Sequence, residues 1–199
     1  MVSIQPRIRL VRSFDERWHT YLGYVLEVSG RLGRESREFV VAIGPAAQKK
    51  HRLRVGDAVS GASEPVDDTA TQAAELHKTV KLRVSERGSE PNASPPPWHG
   101  VPPTLETYRA RGHRRLDERT YHARCVSCVW GCRMPVEMII DQWNPEQKAY
   151  RFETFCYGPK SCRLYRAGST RKVPGRRGMV YEEENWVDEE ATAHRKRGE

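Results

Sequence analysis

The cysteines give this chain its clearest chemical signal. Three of the five lie in CVSCVWGC at residues 125–132, and the other two bound the stretch CYGPKSC at residues 156–162. In a reducing compartment, cysteines clustered this closely indicate metal binding or redox chemistry, and an odd number cannot pair completely in disulfides. The C-x2-C spacing within the first group is usual for structural zinc. The sequence therefore predicts a metal site made of thiolates.

The predicted ligands are Cys125, Cys128, Cys156 and Cys162, which make two pairs, and Cys132 is the alternative ligand. A tetrahedral zinc ion needs four ligands, so one of the five cysteines is spare. The five residues between Cys156 and Cys162 exceed the usual spacing, so Cys162 is as good a candidate for the spare thiol as Cys132. Four thiolates also hold a [4Fe-4S] cluster, although the spacing is not that of bacterial ferredoxins. We expect zinc, with the cluster as the alternative.

Two β-prone runs, 135–143 and 148–156, follow the first cysteine group, and the turn signal NPEQ separates them. If they form an antiparallel hairpin in which residue 143 faces residue 148, Cys156 lies opposite Pro135. Such a hairpin brings the two cysteine groups to one end. The knuckle, the hairpin and the second cysteine pair resemble a zinc ribbon over about 45 residues, which implies a structural role for the metal.

The chain before residue 88 has the pattern of a small all-β unit. In TVKLRVSE, Val80, Leu82 and Val84 alternate with polar residues, as in a strand with one buried face. Four further β-prone runs are PRIRLVR, YLGYVLEVSG, REFVVAIG and VGDAVSGASEPV, and Asp67 or Asp68 is placed to cap a short helix. This inventory resembles an OB-fold or a related small barrel. The predicted fold class is mainly β: a small OB-like β-barrel plus a C-terminal zinc-ribbon-like β-hairpin module.

A proline-rich stretch, GSEPNASPPPWHGVPPT, lies between these units, and proline removes amide donors and fixes φ. Trp98 within it is expected to dock on one module, because a solvated linker has little use for an indole. The following LETYRARGHRRLDER is expected to be partly helical. The predicted organisation is a β-barrel at 1–88 that folds without metal, a linker at 89–104, a cysteine module at 105–181 and a charged tail at 182–199.

Charge indicates the class of partner. The net charge of +8 and the pI of about 9.4 favour a polyanion, and the stretch RLYRAGSTRKVPGRR contains no acidic residue. We expect nucleic-acid binding, with RNA favoured over DNA. Trp18, Tyr21 and Tyr24 are candidates for stacking on bases, although filling a core is the ordinary role of such residues. The predicted nucleic-acid contacts are Lys81, Arg83, Arg114, Arg115, Arg171, Lys172, Arg176 and Arg177.

Other functions remain open on the sequence. The alternative to nucleic-acid contact is that the acidic stretch YEEENWVDEE, which is close in sequence, folds back on the basic segment. The cysteines also fit an iron-sulfur redox or sensor protein. The charged C-terminal segments also fit a protein-protein adaptor.

The sequence contains no Walker loop, G-x-G-x-x-G, nucleophile elbow or H-E-x-x-H motif, and we assign no catalytic residue. No apolar run approaches the roughly 20 residues that span a bilayer. The N-terminal stretch MVSIQPRIRLVRSF has no continuous apolar region of the kind found in secretory signals. We therefore expect a cytoplasmic protein with no membrane partner.

Overall fold

The computed structural model describes residues 1–13, 17–89 and 96–196. The predicted mainly β fold class is confirmed, since ten of the described elements are strands and eight of these form one mixed sheet. The strands are β1 (Ser3–Arg12), β2 (Arg17–Leu32), β3 (Glu35–Ile43), β4 (Ala58–Pro65), β5 (Leu76–Glu86), β6 (Arg114–Arg115), β7 (Gly131–Ile139), β8 (Lys148–Cys156), β9 (Arg171–Pro174) and β10 (Val180–Glu183). The helices are α1 (Pro45–His51), α2 (Leu105–Arg111), α3 (Glu118–Thr120) and α4 (Trp186–Thr192).

The first five strands follow the order β1-β2-β3-β5-β4, with α1 between β3 and β4 and a parallel contact between β3 and β5. This is the strand order of an OB-fold, a partly open five-stranded barrel. The amino group of Met1 donates to the carbonyl of Asp57, and the amide of Gly56 donates to the carbonyl of Met1, both at 2.9 Å. These bonds bring the residues just before β4 back to the start of β1.

The helix predicted after Asp67 or Asp68 is wrong. Residues 66–75 form turns, in which the Asp68 carboxylate accepts from the amide of Ala70 at 2.8 Å. A short polar side chain bonded to the backbone two residues ahead favours a turn over a helix. The helix of this unit is α1, which begins at Pro45, a residue suited to the first helical position.

The sheet continues from the first half of the chain into the second. One edge of β1 pairs antiparallel with β2, and the other pairs parallel with β7 through Leu10 and Val136. Ile8, Leu10, Met134 and Val136 are fully buried in one core cluster. The division into domains at 89–104 stays a prediction, and strands on both sides of that stretch share one sheet and one core.

The hairpin of β7 and β8 forms as predicted, but its predicted register is wrong. Gly131, not Pro135, lies opposite Cys156, and Ile139 is the residue that faces Lys148. The register differs because the connecting loop is longer than NPEQ and occupies residues 140–147. Cys132 therefore lies within β7 instead of ahead of the hairpin.

The acidic stretch near the C-terminus folds back on the basic segment. In the two-stranded sheet of β9 and β10, Glu182 faces Lys172 and Glu183 faces Arg171. The α4 helix follows, and its Asp188 bonds Arg115. Among the described helices, none has the length and apolar character needed to cross a membrane.

Candidate metal centre and nucleic-acid interface

A short helical segment delivers the first cysteine group. Asp117 caps α3 by accepting from the amide of Thr120 at 2.7 Å, and the chain continues into a π-helical turn at Tyr121–Cys125. The amide of Cys128 then donates to the carbonyl of Cys125 at 3.0 Å, which closes a tight knuckle. Single π-helical turns occur often at functional sites.

The four predicted ligands, Cys125, Cys128, Cys156 and Cys162, line one small cavity of about 10 Å³. The hairpin brings Cys156 to the knuckle, and Cys162 comes from the turn that follows β8. The cavity is enclosed by apolar and aromatic side chains, namely Trp98, Leu116, Trp130 and Tyr165. The predicted docking of Trp98 is confirmed.

Cys132 does not join the other four cysteines. It is completely buried in the main core, and its Sγ donates to the carbonyl of Pro6 at 3.3 Å. Its place on β7 explains this separation, because Cys132 faces Phe155 across the hairpin. The alternative ligand is thus held in a different environment from the predicted set.

Backbone and side-chain donors surround two of the sulfur atoms. The amide of Trp98 donates to Cys128 Sγ at 3.4 Å, and that of Gly158 donates to Cys156 Sγ at 3.3 Å. Arg114 adds a positive charge beside Cys156. Burial raises the pKa of Cys125 to about 12 and that of Cys128 to about 11, so these groups are protonated thiols near neutral pH. Binding of a metal would release their protons.

The donor chemistry suits zinc, but the side-chain positions do not define a metal site. In the three described ranges, no group of three or more His, Cys, Asp or Glu side chains is placed to hold a metal ion. The structure shows buried thiols that share a cavity. Zinc therefore stays a prediction, carried by the type and convergence of the four residues.

Gln5 of β1 holds the knuckle in place, and sequence reasoning missed it. This residue is 2% exposed, and its Nε2 donates to the carbonyls of Cys125 and Val126 at 2.9 Å and of Cys128 at 3.0 Å. The hydroxyl of Tyr121 donates to Gln5 Oε1 at 2.7 Å. No local pattern marks a glutamine in a strand as the partner of a loop more than 100 residues away.

Three of the predicted nucleic-acid contacts are engaged inside the protein. Arg115 is 2% exposed and bonds Asp188. Arg171 pairs with Glu153 at 2.7 Å, and burial lowers its pKa to about 10. Arg114 lies over the ring of Tyr165, 3.8 Å from its centroid. These arginines hold the fold together and are poorly placed for phosphate.

Lys172, Arg176 and Arg177 are exposed. Arg176 Nε lies 3.3 Å from a carboxylate oxygen of Asp141, and Lys172 faces Glu182 across the β9–β10 ladder. Arg177 forms no ion pair with any residue that the structure describes. Of the basic segment, the Arg176–Gly178 turn is thus the part most open to an external anion.

Lys81 and Arg83 line an open groove of about 670 Å³ between β5 and α1. Lys50 of α1 lies on the opposite wall, and among the described residues none of these three cations forms an ion pair. At the end of the groove, Arg87 is held 3.0 Å from Asp57. Glu86 is the one carboxylate of the lining, so cations outnumber anions in the groove, and three of them form no ion pair with a described residue.

The three aromatic candidates for base stacking lie in different environments. Tyr24 is buried, and its hydroxyl donates to the carbonyl of Pro103 at 2.7 Å. The guanidinium of Arg109 covers the ring of Tyr21 at 4.9 Å. Trp18 is the exposed member of the set.

Comparison of the chain with protein-family models, with curated proteins and with solved structures finds no match.

Proposed function

We propose that this protein binds single-stranded nucleic acid, RNA in preference to DNA, through the groove between β5 and α1. The observation that carries the proposal is the presence in that groove of Lys50, Lys81 and Arg83, three exposed cations without ion pairs in the described structure. Unneutralised cations along a groove attract a sugar-phosphate backbone and release its counterions. An OB-like strand order on the same unit is consistent with this role.

The backbone of β5 supports the same function. β5 pairs with β3 only at Leu76, opposite Val41, so its later residues are hydrogen-bonded on the β4 side alone within the described sheet. Unpaired strand edges present amide groups, and amides are common donors to phosphate oxygens. The groove thus offers both charged and neutral donors to one extended polyanion.

We further propose that the cysteine cavity is a structural zinc centre, in a protein of the cytoplasm. Cys125, Cys128, Cys156 and Cys162 would hold the ion, and the zinc would supply a cross-link between the knuckle and the turn after β8. Sulfur ligands that fill the coordination shell leave no open position for catalysis. Metal analysis of the protein as purified should give one zinc per chain, whereas iron with acid-labile sulfide would overturn this assignment.

The binding function is tested with two charge-matched variants. One replaces the groove cations, Lys50, Lys81 and Arg83, with glutamine. The control replaces three exposed cations outside the groove, Arg31, Arg34 and Lys49, with glutamine. Fluorescence anisotropy with single-stranded RNA and DNA across a salt series measures the affinity of each variant.

The groove variant should bind more weakly, and its log-log salt slope should fall by about 0.7 for each phosphate that the groove no longer neutralises, or roughly 2 in all. The control should keep the wild-type slope, because net charge alone has a smaller effect than direct neutralisation of a phosphate. If wild type binds neither nucleic acid at low salt, the function is wrong. Equal slopes for the two variants would show that the groove is not the binding surface.

A further inference from the structure

The loop at residues 140–147, which connects β7 and β8, carries an exposed tryptophan. Trp143 is 85% exposed. Aromatic side chains ordinarily dominate core and interface packing because of their large apolar area. The exposed indole at this position therefore offers a flat apolar face to a partner.

The loop that carries Trp143 is held by its own hydrogen bonds. Asp141 Oδ1 accepts from the amide of Trp143 at 3.0 Å, and the carbonyl of Asp141 accepts from the amide of Asn144 at 3.1 Å. The amides of Gln147 and Ile140 donate to the carbonyls of Asn144 and Gln147 at 3.0 and 3.1 Å. An ordered loop loses little conformational freedom when its side chain binds, which favours affinity.

The turn between β9 and β10 lies beside this loop. Asp141, which accepts from Trp143 through one carboxylate oxygen, lies 3.3 Å from Arg176 Nε through the other. Arg177 is the next residue of that turn and is exposed, with a left-handed backbone at φ 56°. Strained backbone at a non-glycine residue is a feature of binding sites. One carboxylate thus joins the backbone of the residue that carries the exposed indole to a turn with two exposed arginines.

We propose that Trp143 is a stacking platform for an unpaired base, with Arg177 contacting a phosphate next to it. The proposal rests on the nucleic-acid function proposed above and specifies its substrate as a strand with unstacked bases. Aromatic side chains beside cations are how proteins hold single strands without reading sequence, since every base has a π-face. Arg176 is paired with Asp141, so Arg177, which forms no ion pair with any described residue, is the cation of the turn that attracts phosphate.

The test compares oligouridine with an abasic ribose-phosphate strand of the same length, which has the same charge but no bases. Trp143→Ala should weaken binding of oligouridine by about 5- to 150-fold and leave binding of the abasic strand unchanged. Arg177→Gln should weaken binding of both strands alike. Trp186→Ala, at a tryptophan that is 58% exposed elsewhere on the surface, is the matched control and should change neither.

The outcomes separate this proposal from the proposed function. If wild type binds oligouridine and Trp143→Ala binds it equally well, the platform is wrong while the nucleic-acid function stands, and a protein partner becomes the better occupant of Trp143. If Trp143→Ala weakens binding of oligouridine and of the abasic strand equally, the stacking role is also wrong. If wild type binds neither strand, the nucleic-acid function and the platform are both wrong. Thermal melting of each variant should match wild type, because the exposed indole contributes little to the core.

Discussion

Substitution of Lys81 by glycine should stabilise the protein and weaken its binding of nucleic acid at the same time. Val80 faces Ala62 and Arg83 faces Ser60, so Lys81 and Leu82 together lie opposite one residue of β4. This is a β-bulge, and Lys81 occupies it with a left-handed φ of 53°. Glycine is the usual residue at that position, so the lysine is held against its conformational preference.

The expected gain follows from two opposing effects. A left-handed backbone costs a residue with a Cβ about 1–2 kcal/mol, and glycine removes this strain. The freedom that glycine adds to the unfolded chain offsets about 0.5–1 kcal/mol of that gain. The net stabilisation is about 0.5–1 kcal/mol, which in a protein of this size raises Tm by about 1–4 °C. Removal of the lysine should lower the log-log salt slope by about 0.7.

Lys78 supplies a matched control. It lies in a second bulge of β5, also with a left-handed backbone, at φ 51°, but it does not line the groove. Lys78→Gly relieves the same backbone strain but also removes an exposed ion pair with Glu64 at 2.7 Å, so it should raise Tm by less and leave binding unchanged. Thermal melting and a salt series of anisotropy titrations measure both effects. If Lys81→Gly lowers Tm while Lys78→Gly raises it, or if both weaken binding equally, the strain and the groove contact assigned to Lys81 are refuted.

Three further predictions concern the core and the cysteines. Gln5→Ala should lower the free energy of unfolding by about 1–3 kcal/mol, because it removes three hydrogen bonds to knuckle carbonyls and leaves the buried hydroxyl of Tyr121 without its acceptor. Gln147→Ala, at an exposed loop position, should not lower it, and urea titrations measure both variants. Burial lowers the pKa of His19 to about 4, so His19 should reduce stability by up to about 3 kcal/mol as pH drops from about 6.5 to 4. Burial also lowers the pKa of His113, whose ring centroid lies 4.6 Å from that of His19, so His19→Gln should reduce the fall in stability without abolishing it. Because burial raises the pKa of Cys125 to about 12, protons should compete with zinc, and a chelator competition should show tighter binding at pH 8 than at pH 6.

Local pattern predicted the strands well, because alternation and turn residues act over a few positions. The runs around Leu26, Val41 and Leu82 form β2, β3 and β5 as expected. The register of the β7–β8 hairpin failed because loop length depends on side-chain bonds such as that of Asp141, which letter patterns do not reveal. Any hairpin of β7 and β8 brings Cys156 back toward the first cysteine group, whatever its register. The four cysteines therefore line one cavity although the predicted register was wrong.

Some of the predicted nucleic-acid contacts are exposed and others are engaged inside the protein, and the difference has a physical reason. A sequence shows that an arginine is charged, but not whether a distant carboxylate neutralises it. Arg115 and Asp188 are separated by 73 residues, and only the fold brings them together. Arg83 was predictable because the alternation of its strand placed it outward, whereas the partner of Arg115 and the role of Gln5 depend on contacts across the whole chain. The same alternation placed Val80 on the buried face, which is wrong, because the bulge at Lys81 leaves Val80 57% exposed.

Because β1 lies between β2 and β7 in the sheet, a strand from the first half of the chain pairs directly with a strand from the second half. A cut in the backbone between residues 89 and 96 would leave one piece with β1 and the other with β7, the strand that pairs with it in parallel. Each piece would expose the apolar face that the other covers, including Leu10 in one and Val136 in the other. The two pieces should therefore reassemble when mixed, so that this connection is a natural place to split the protein for fragment complementation.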